Sequence, residues 1–305
     1  MNARLTVLSA ALIAAFTLAH GAAAAPSVAI TQLGDRNNAY VDQQAAPDAN
    51  VSAVINQVGT NNMAGDALTK TPGITQVNGN EEVLASLDQS GNRNVGQLYQ
   101  SNDTRLGARV KQEGTNNFTR SSQVNAWQAD AFVHQTGSNN FTDVIQNGIA
   151  DFEVYSTQVG NQNIFTLTQH VAGHEGSYLN QNGSGNRADV RQEQVDFARV
   201  DIAQDGNGNT IAMNQHDGQF MHVSLTQQGN TNAILADQSG LDQEGSILQS
   251  GNANIAHLNQ SGSSDLATIT QTGNFNFGSI TQNGSAFNAT LAQAGDNNKA
   301  AIYQH

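Results

Sequence analysis

Apart from its amides, the chain has few side chains that could do covalent or acid–base chemistry, and their spacing does not gather them. It has no cysteine, which excludes disulfides, thiolate metal sites and thiol nucleophiles. Asp130, Asp151, Glu153, Asp201 and Asp205 are the acids a polysaccharide-cleaving site would need. They read as forming no recurring column, hence as solubilising surface charge. His170 and His174 are four residues apart, a metal-ligand spacing on a helix, but they sit beside Gly173 in what reads as an exposed turn. Asp, Asn and Gly recur at turns, yet the Gly-Gly-x-Gly-x-Asp nonapeptide of calcium β-rolls is absent. Thr166, Thr168, Thr268 and Thr270 hint at an ice-binding threonine column, which Arg109, Lys111, Phe132 and His134 interrupt. Trp127 and the scattered tyrosines read as surface or turn aromatics. The expectation is no enzyme, no metal and no cofactor. A net charge of −13, from 12 basic and 25 acidic residues, argues against binding nucleic acid through its phosphates.

What remains is the hydrogen-bonding chemistry of carboxamides. With 32 Gln and 37 Asn, amides fill 69 of 305 positions, while only 12% of residues are charged. Their spacing is regular. The pattern Gln-x-Gly-x-x-Asn occurs twelve times, starting at Gln32, Gln57, Gln89, Gln112, Gln135, Gln158, Gln181, Gln204, Gln227, Gln249, Gln271 and Gln293. The glycine is present in all twelve, as at Gly34, Gly59, Gly137, Gly183 and Gly295, and so is the asparagine, as at Asn37, Asn140, Asn186 and Asn298. From Gln89 the step is 23 residues six times, then 22 three times. A second glutamine follows eleven residues after the first, at Gln43 and from Gln100 to Gln304; an insertion around Lys70-Thr-Pro-Gly73 displaces it once, to Gln76. Each unit is therefore two halves, and near the C-terminus the halves converge: Gln260-Ser-Gly-Ser-Ser-Asp265 copies the first-half motif with Asp for Asn.

These amides need elements that hold them in columns. Two residues before the first Gln the chain is aliphatic in eleven of twelve repeats, Ser156 being the exception. Around it residues alternate with period two, the mark of strands with one uniform and one variable face. The glycine marks a turn that needs positive φ. Strand, turn, strand, turn makes a flat coil, and coils stack about 4.8 Å apart through backbone hydrogen bonds. The expected fold is all-β: a β-solenoid of twelve coils of 22–23 residues with two stacked parallel sheets in cross-β arrangement. Buried amides would then bond along the axis, avoiding about 1–3 kcal/mol for each polar group otherwise left unpaired. Pro26 precedes the first strand, Pro47 and Pro72 fall in insertions, and no proline follows, as continuous pairing requires.

Residues 1–24 read as a secretory signal, with Arg4, an apolar run from Leu5 to Ala19 and small residues up to Ala25; cleavage after Ala24 leaves 25–305 as the solenoid. The run is short for a membrane span. The first strand (Val28, Ile30, Gln32) starts close to that site and the last (Ala300, Ile302, Gln304) reaches almost to the end. Both are expected to be bare edges at which copies polymerise end to end.

Repeats of this form resemble curlin repeats, found in subunits of curli, the secreted amyloid fibres of Gram-negative biofilms. Gln181-Asn-Gly-Ser-Gly-Asn186-Arg-Ala188 to Gln192 and Gln293-Ala-Gly-Asp-Asn-Asn298-Lys-Ala300 to Gln304 carry the likeness. The resemblance implies a structural subunit of an extracellular fibre, self-assembling for adhesion and biofilm matrix. It also implies a nucleator, a periplasmic chaperone and an outer-membrane export pore as partners. The alternatives are a nucleator-like minor subunit and a monomeric β-solenoid surface adhesin.

Overall fold

A computed structural model describes the backbone of residues 3–8, 13–15, 26–44, 50–66, 71–78 and 81–305. No helix occurs among the described residues. The chain forms two compact units, Met1–Val154 and Tyr155–His305. Each is a β-solenoid, and alternation in the sequence sets which way its side chains point. In Val51–Thr60, Val51, Ala53, Ile55 and Gln57 are buried and the residues between them are not.

Between successive windings pairing is parallel, and the inward aliphatic and glutamine positions meet their own kind one winding on. In the first unit Ile30 lies against Ile55, then Leu87, Val110 and Val133 follow in register. In the second, one inward column runs Leu179, Ile202, Leu225, Ile247, Ile269, Leu291. The facing column runs Leu167, Val190, Met213, Ala236, Leu258, Ile280, Ile302. The core is the thin space between these columns. The structure holds about 11 turns rather than twelve, since twelve motifs enclose eleven intervals.

The two stacked parallel layers are joined to one another. Arg187–Asn207 and Thr210–Asn230, 21 residues each, pair on both sides of the arc between the layers and within it, leaving out only Gln194 with Asp217 and Phe197 with Phe220. The layers are two faces of one folded sheet, because the arcs keep their backbone bonds to the next winding.

The insertion around Pro72 is accommodated without loss of register. Asn38 and Ala39 pair with Met63 and Ala64, the chain leaves as a short antiparallel hairpin (Gly65 opposite Pro72), and pairing resumes with Ile74 on Val41. Gln76 thereby regains the glutamine position. Pro47 and the cleavage site expected after Ala24 lie outside the described residues.

Residues ahead of the expected cleavage site lie against one edge. Ala3–Leu8 pairs antiparallel with Asn38–Gln43, and Ile13–Ala15 with Ala29–Thr31. Of Val28, Ile30 and Gln32 the pairing takes in Ile30 alone; an unpaired row of backbone N–H and C=O groups accepts an extended segment tethered nearby.

Candidate functional site: the stacked amide columns

Two glutamine ladders run through each unit. In the first unit Nε2 of Gln32 donates to Oε1 of Gln57 at 2.7 Å, and Gln57, Gln89 and Gln112 each donate to the next, Gln112 to Gln135, at 2.8–2.9 Å. In the second unit the chain of donors is Gln158, Gln181, Gln204, Gln227, Gln249 and Gln271, ending at Gln293, at 2.7–3.0 Å. The second ladder joins Gln43, Gln76, Gln100, Gln123 and Gln146 in one unit, at 2.7–3.0 Å. In the other it runs from Gln169 to Gln304 at 2.8–3.0 Å. The other N–H of Nε2 reaches across the core. Gln181 donates to the Ile164 carbonyl at 3.0 Å and Gln293 to that of Phe277 at 2.9 Å. Each of these glutamines therefore ties its winding to the next and one layer to the other.

The asparagines form a third column at the arc. Asn186 donates its backbone N–H to Asn163 Oδ1 at 3.1 Å and its Nδ2 to the Gly206 carbonyl at 2.8 Å. Asn140 receives its place from Asn117 in the same way, at 3.1 Å, and Asn298 from Asn276 at 2.9 Å, while Asn37 donates Nδ2 to the Gly59 carbonyl at 2.9 Å. The motif glycines, Gly34, Gly59, Gly137, Gly183 and Gly295 among them, have φ of 99–122°. Turning is only half of their task. A Cβ on Gly183 would lie 1.9 Å from the Gly206 carbonyl oxygen of the next winding, so stacking itself excludes a side chain there.

Two acids stand buried in the second arcs. Asp265 keeps the pattern: its Oδ1 accepts the Phe287 N–H at 2.9 Å. Asp103 Oδ1 accepts the Ala126 N–H at 2.9 Å, but its Oδ2 is buried without a partner among the described residues. Burial pushes the Asp103 carboxyl up to about 7, against the backbone hydrogen bonds that favour its charged form. Ser121 and Ser156 replace aliphatic residues in inward columns, and their hydroxyls find no partner among the described residues.

The outer faces carry the charges. Asp130 and Glu153, expected to share no strand position, both stand five residues before a motif glutamine. Burial, then the charge of Glu153, pushes the Asp130 carboxyl up. Asp201 is held below the usual carboxylate range: hydrogen bonds from Arg199 and His222 outweigh its burial. Asp205 accepts from Asn182 at 3.1 Å. Asp151 sits in an arc with φ 50°. His174 lies 2.8 Å from Asp196 and stacks on Phe197. Thr166 and Thr168 stack on Asp189 and Arg191, and Thr268 and Thr270 on Ser246 and Leu248, so the two pairs stand in different columns. Among the described residues there is no cluster of three or more metal-ligating side chains, and no helix is long and apolar enough to cross a membrane.

Two features escaped the reading of the sequence. An outer ladder links Asn207, Asn230, Asn252, Asn274 and Asp296, each Oδ1 accepting the backbone N–H of the winding before it at 2.7–3.1 Å. Aromatic rings stack one above the next in the pairs Phe118–Phe141, Tyr155–Tyr178 and Phe197–Phe220, at 5.0–5.5 Å. The signal was available, since each pair is spaced by one 23-residue step.

At the last winding, Lys299–Gln304 pairs only with Phe277–Ser285 among the described residues. Ala300 is exposed and Ile302 and Gln304 are part-exposed, whereas Gly278, Ile280 and Gln282 one winding earlier are buried.

Residues 242–273, with the convergent half-motifs and the ladder residues Gln249, Gln260 and Gln271, match the curlin associated repeat. The curlin family is structural and extracellular. No curated protein matches the chain. The ladders explain why the amides outnumber the charges: the motif Gln and Asn bond their counterparts in the adjacent winding.

Proposed function

We propose that this chain is a structural subunit of an extracellular, curli-type amyloid fibre that serves adhesion and biofilm matrix, and that it is not an enzyme. The observation that supports this most is the amide ladder: motif glutamines bond their own copies one winding on, as Gln282 Nε2 bonds Gln304 Oε1 at 2.8 Å besides the Leu266 carbonyl at 3.0 Å. Identical side chains bonded in register along parallel strands are the arrangement by which chains stack in cross-β fibres. Arg4 and the Leu5–Ala19 run fit export through the periplasm, with a chaperone, a nucleator and an outer-membrane pore as partners. The purified chain without its leader should pass from soluble to fibrillar after a lag, shorten that lag when seeded, and diffract near 4.7–4.8 Å along the fibre.

The covered edge at Asn38–Gln43 favours a second reading, a monomeric β-solenoid adhesin. A chain that remains monomeric for days at high concentration, seeded and leaderless, decides for the adhesin.

A further inference from the structure

The chain has no cysteine, so no disulfide can lock one winding to the next. One pair of side chains offers a lock of another chemistry. Tyr155 and Tyr178 each stand three residues before a motif glutamine. Those glutamines, Gln158 and Gln181, are ladder neighbours at 2.8 Å, so the stacking of windings brings the two phenols together. Their ring centroids are 5.5 Å apart and their planes differ by 6°, the geometry of an offset stack. Tyr155 is 39% exposed and so open to a reagent in solution. Tyr178 is held from the winding that follows it: the Arg199 guanidinium lies over its ring, 4.6 Å from the centroid. Asp201 fixes Arg199 there with hydrogen bonds of 2.8 and 3.0 Å.

The stacked pairs Phe118–Phe141 and Phe197–Phe220 carry no phenol. The remaining tyrosines lack such a neighbour. Tyr99 pairs in register with Thr75 and Ser122, Tyr303 with Thr281, and Tyr40 is buried.

We infer that Tyr155 and Tyr178 form an oxidative coupling site, at which a one-electron oxidant of the peroxidase class, using hydrogen peroxide, joins the two phenols into a dityrosine. Each phenol gives up one electron and one proton. The two phenoxyl radicals pair their electrons in a carbon–carbon bond between ring positions ortho to the hydroxyls. The hydrogens on those carbons leave as protons and each oxygen takes one up, which restores both phenols. Overall the pair loses two hydrogen atoms and the peroxide is reduced to two waters. The fold supplies proximity, since near-parallel rings on adjacent windings meet without a search. The Arg199 charge opposes loss of an electron from Tyr178, so the first electron leaves the exposed Tyr155. The product closes a covalent loop over one 23-residue step and restrains the unfolded chain as a disulfide would. The reaction lies within one chain and does not depend on the fibre reading.

The test oxidises the purified full chain, dilute and monomeric, with a haem peroxidase and limiting hydrogen peroxide. A parallel sample receives a photochemical one-electron oxidant that also works in denaturant. Dityrosine fluorescence should appear, the intact chain should lose the mass of two hydrogens, and digestion should release a linked peptide pair containing Tyr155 and Tyr178. Tyr155→Phe and Tyr178→Phe keep an aromatic stack but remove one phenol. Each should lower the intrachain link on the order of tenfold or more, and Tyr99→Phe should leave it unchanged. Photochemical oxidation of the wild-type chain in denaturant should abolish the preference for this pair, a control that needs no variant to fold. The linked chain should unfold at a higher denaturant midpoint than the unlinked one. The inference is overturned by equal link yields in the folded and denatured chain, by coupling that occurs only between chains through Tyr99 or Tyr303, or by a midpoint that the link does not move.

Discussion

The windings of 23 residues and those of 22 differ by one residue in the second arc, and comparing them separates what a stacked arc requires from what it tolerates. Between Thr210–Asn230 and Ala233–Asn252 the register shifts at His216/Gly218, where Asp217 has no counterpart. In the longer arcs the left-handed residues stand two and five places after the glutamine: Gln194 and Phe197 at φ 52° and 51°, Asp217 and Phe220 at 50° and 55°. In the shorter arcs they stand two and four places after it, Gly240 and Asp242 at 102° and 57°, as in the first arc of every winding. The tight arc presses a carbonyl of the next winding to 2.1 Å from where a Cβ on Gly240 would be, so only glycine fits. The wide arc leaves room for side chains, and Phe197 and Phe220 stack there at 5.0 Å. The curlin match at residues 242–273 falls where both arcs are tight.

The strongest way to break this contrast is Gly206→Ala against Asp217→Ala. The first sets a methyl 1.9 Å from the Gly229 carbonyl at φ 122°, and should cost about 3 kcal/mol or more in denaturant midpoints and suppress fibre formation. The second, in the wide arc, should stay within about 1 kcal/mol. Equal losses would mean that both arcs are equally crowded.

Asp103→Asn probes a buried arc position outside the asparagine column. The unfolded carboxyl titrates near 3.8 and the folded one at about 7. Across that window the folded chain holds a proton the unfolded chain has released, so wild-type stability should fall as pH climbs from about 4 to about 7 and stay low above it. The asparagine variant should lose this slope and gain on the order of 2–4 kcal/mol at pH 8. Unchanged pH dependence in the variant would contradict the burial of that carboxyl.

Gln192→Leu strands Gln169 Nε2 and Gln215 Oε1, its partners at 2.8 Å. It should cost about 1–3 kcal/mol. Asn252→Ala, in the exposed outer ladder, should cost under about 0.5 kcal/mol. A reversal of that order would place the stability outside rather than inside. The smallest effect is a gain. Val171 is β-branched at φ 50°, so Val171→Asn should raise stability by about 1 kcal/mol, read from the same unfolding curves.

Much of this molecule was readable from its residues. A side chain that bonds its own copy must recur at the winding length, and Gln32 to Gln304 announce their ladders by spacing alone. Asp265, as a stand-in for Asn in a tight arc, was legible for the same reason. Less was legible where the partner is not a copy. The alignment of Asp130 with Glu153 was missed because acids were compared across the whole chain rather than counted from their own motif glutamine. The covering of Asn38–Gln43 by Ala3–Leu8 depends on which segment reaches a free edge, which no period encodes.

The sequence by itself determined the winding length, the inward columns and the glycine turns, because alternation and recurrence are one-dimensional and each coil packs on its own repeat. Tertiary structure alone decided the rest. It fused the two layers into one sheet and put a neighbouring carbonyl over each tight-arc glycine. It gave the ladders a single direction, because which amide hydrogen finds which oxygen is settled only once adjacent windings lie in hydrogen-bonding contact.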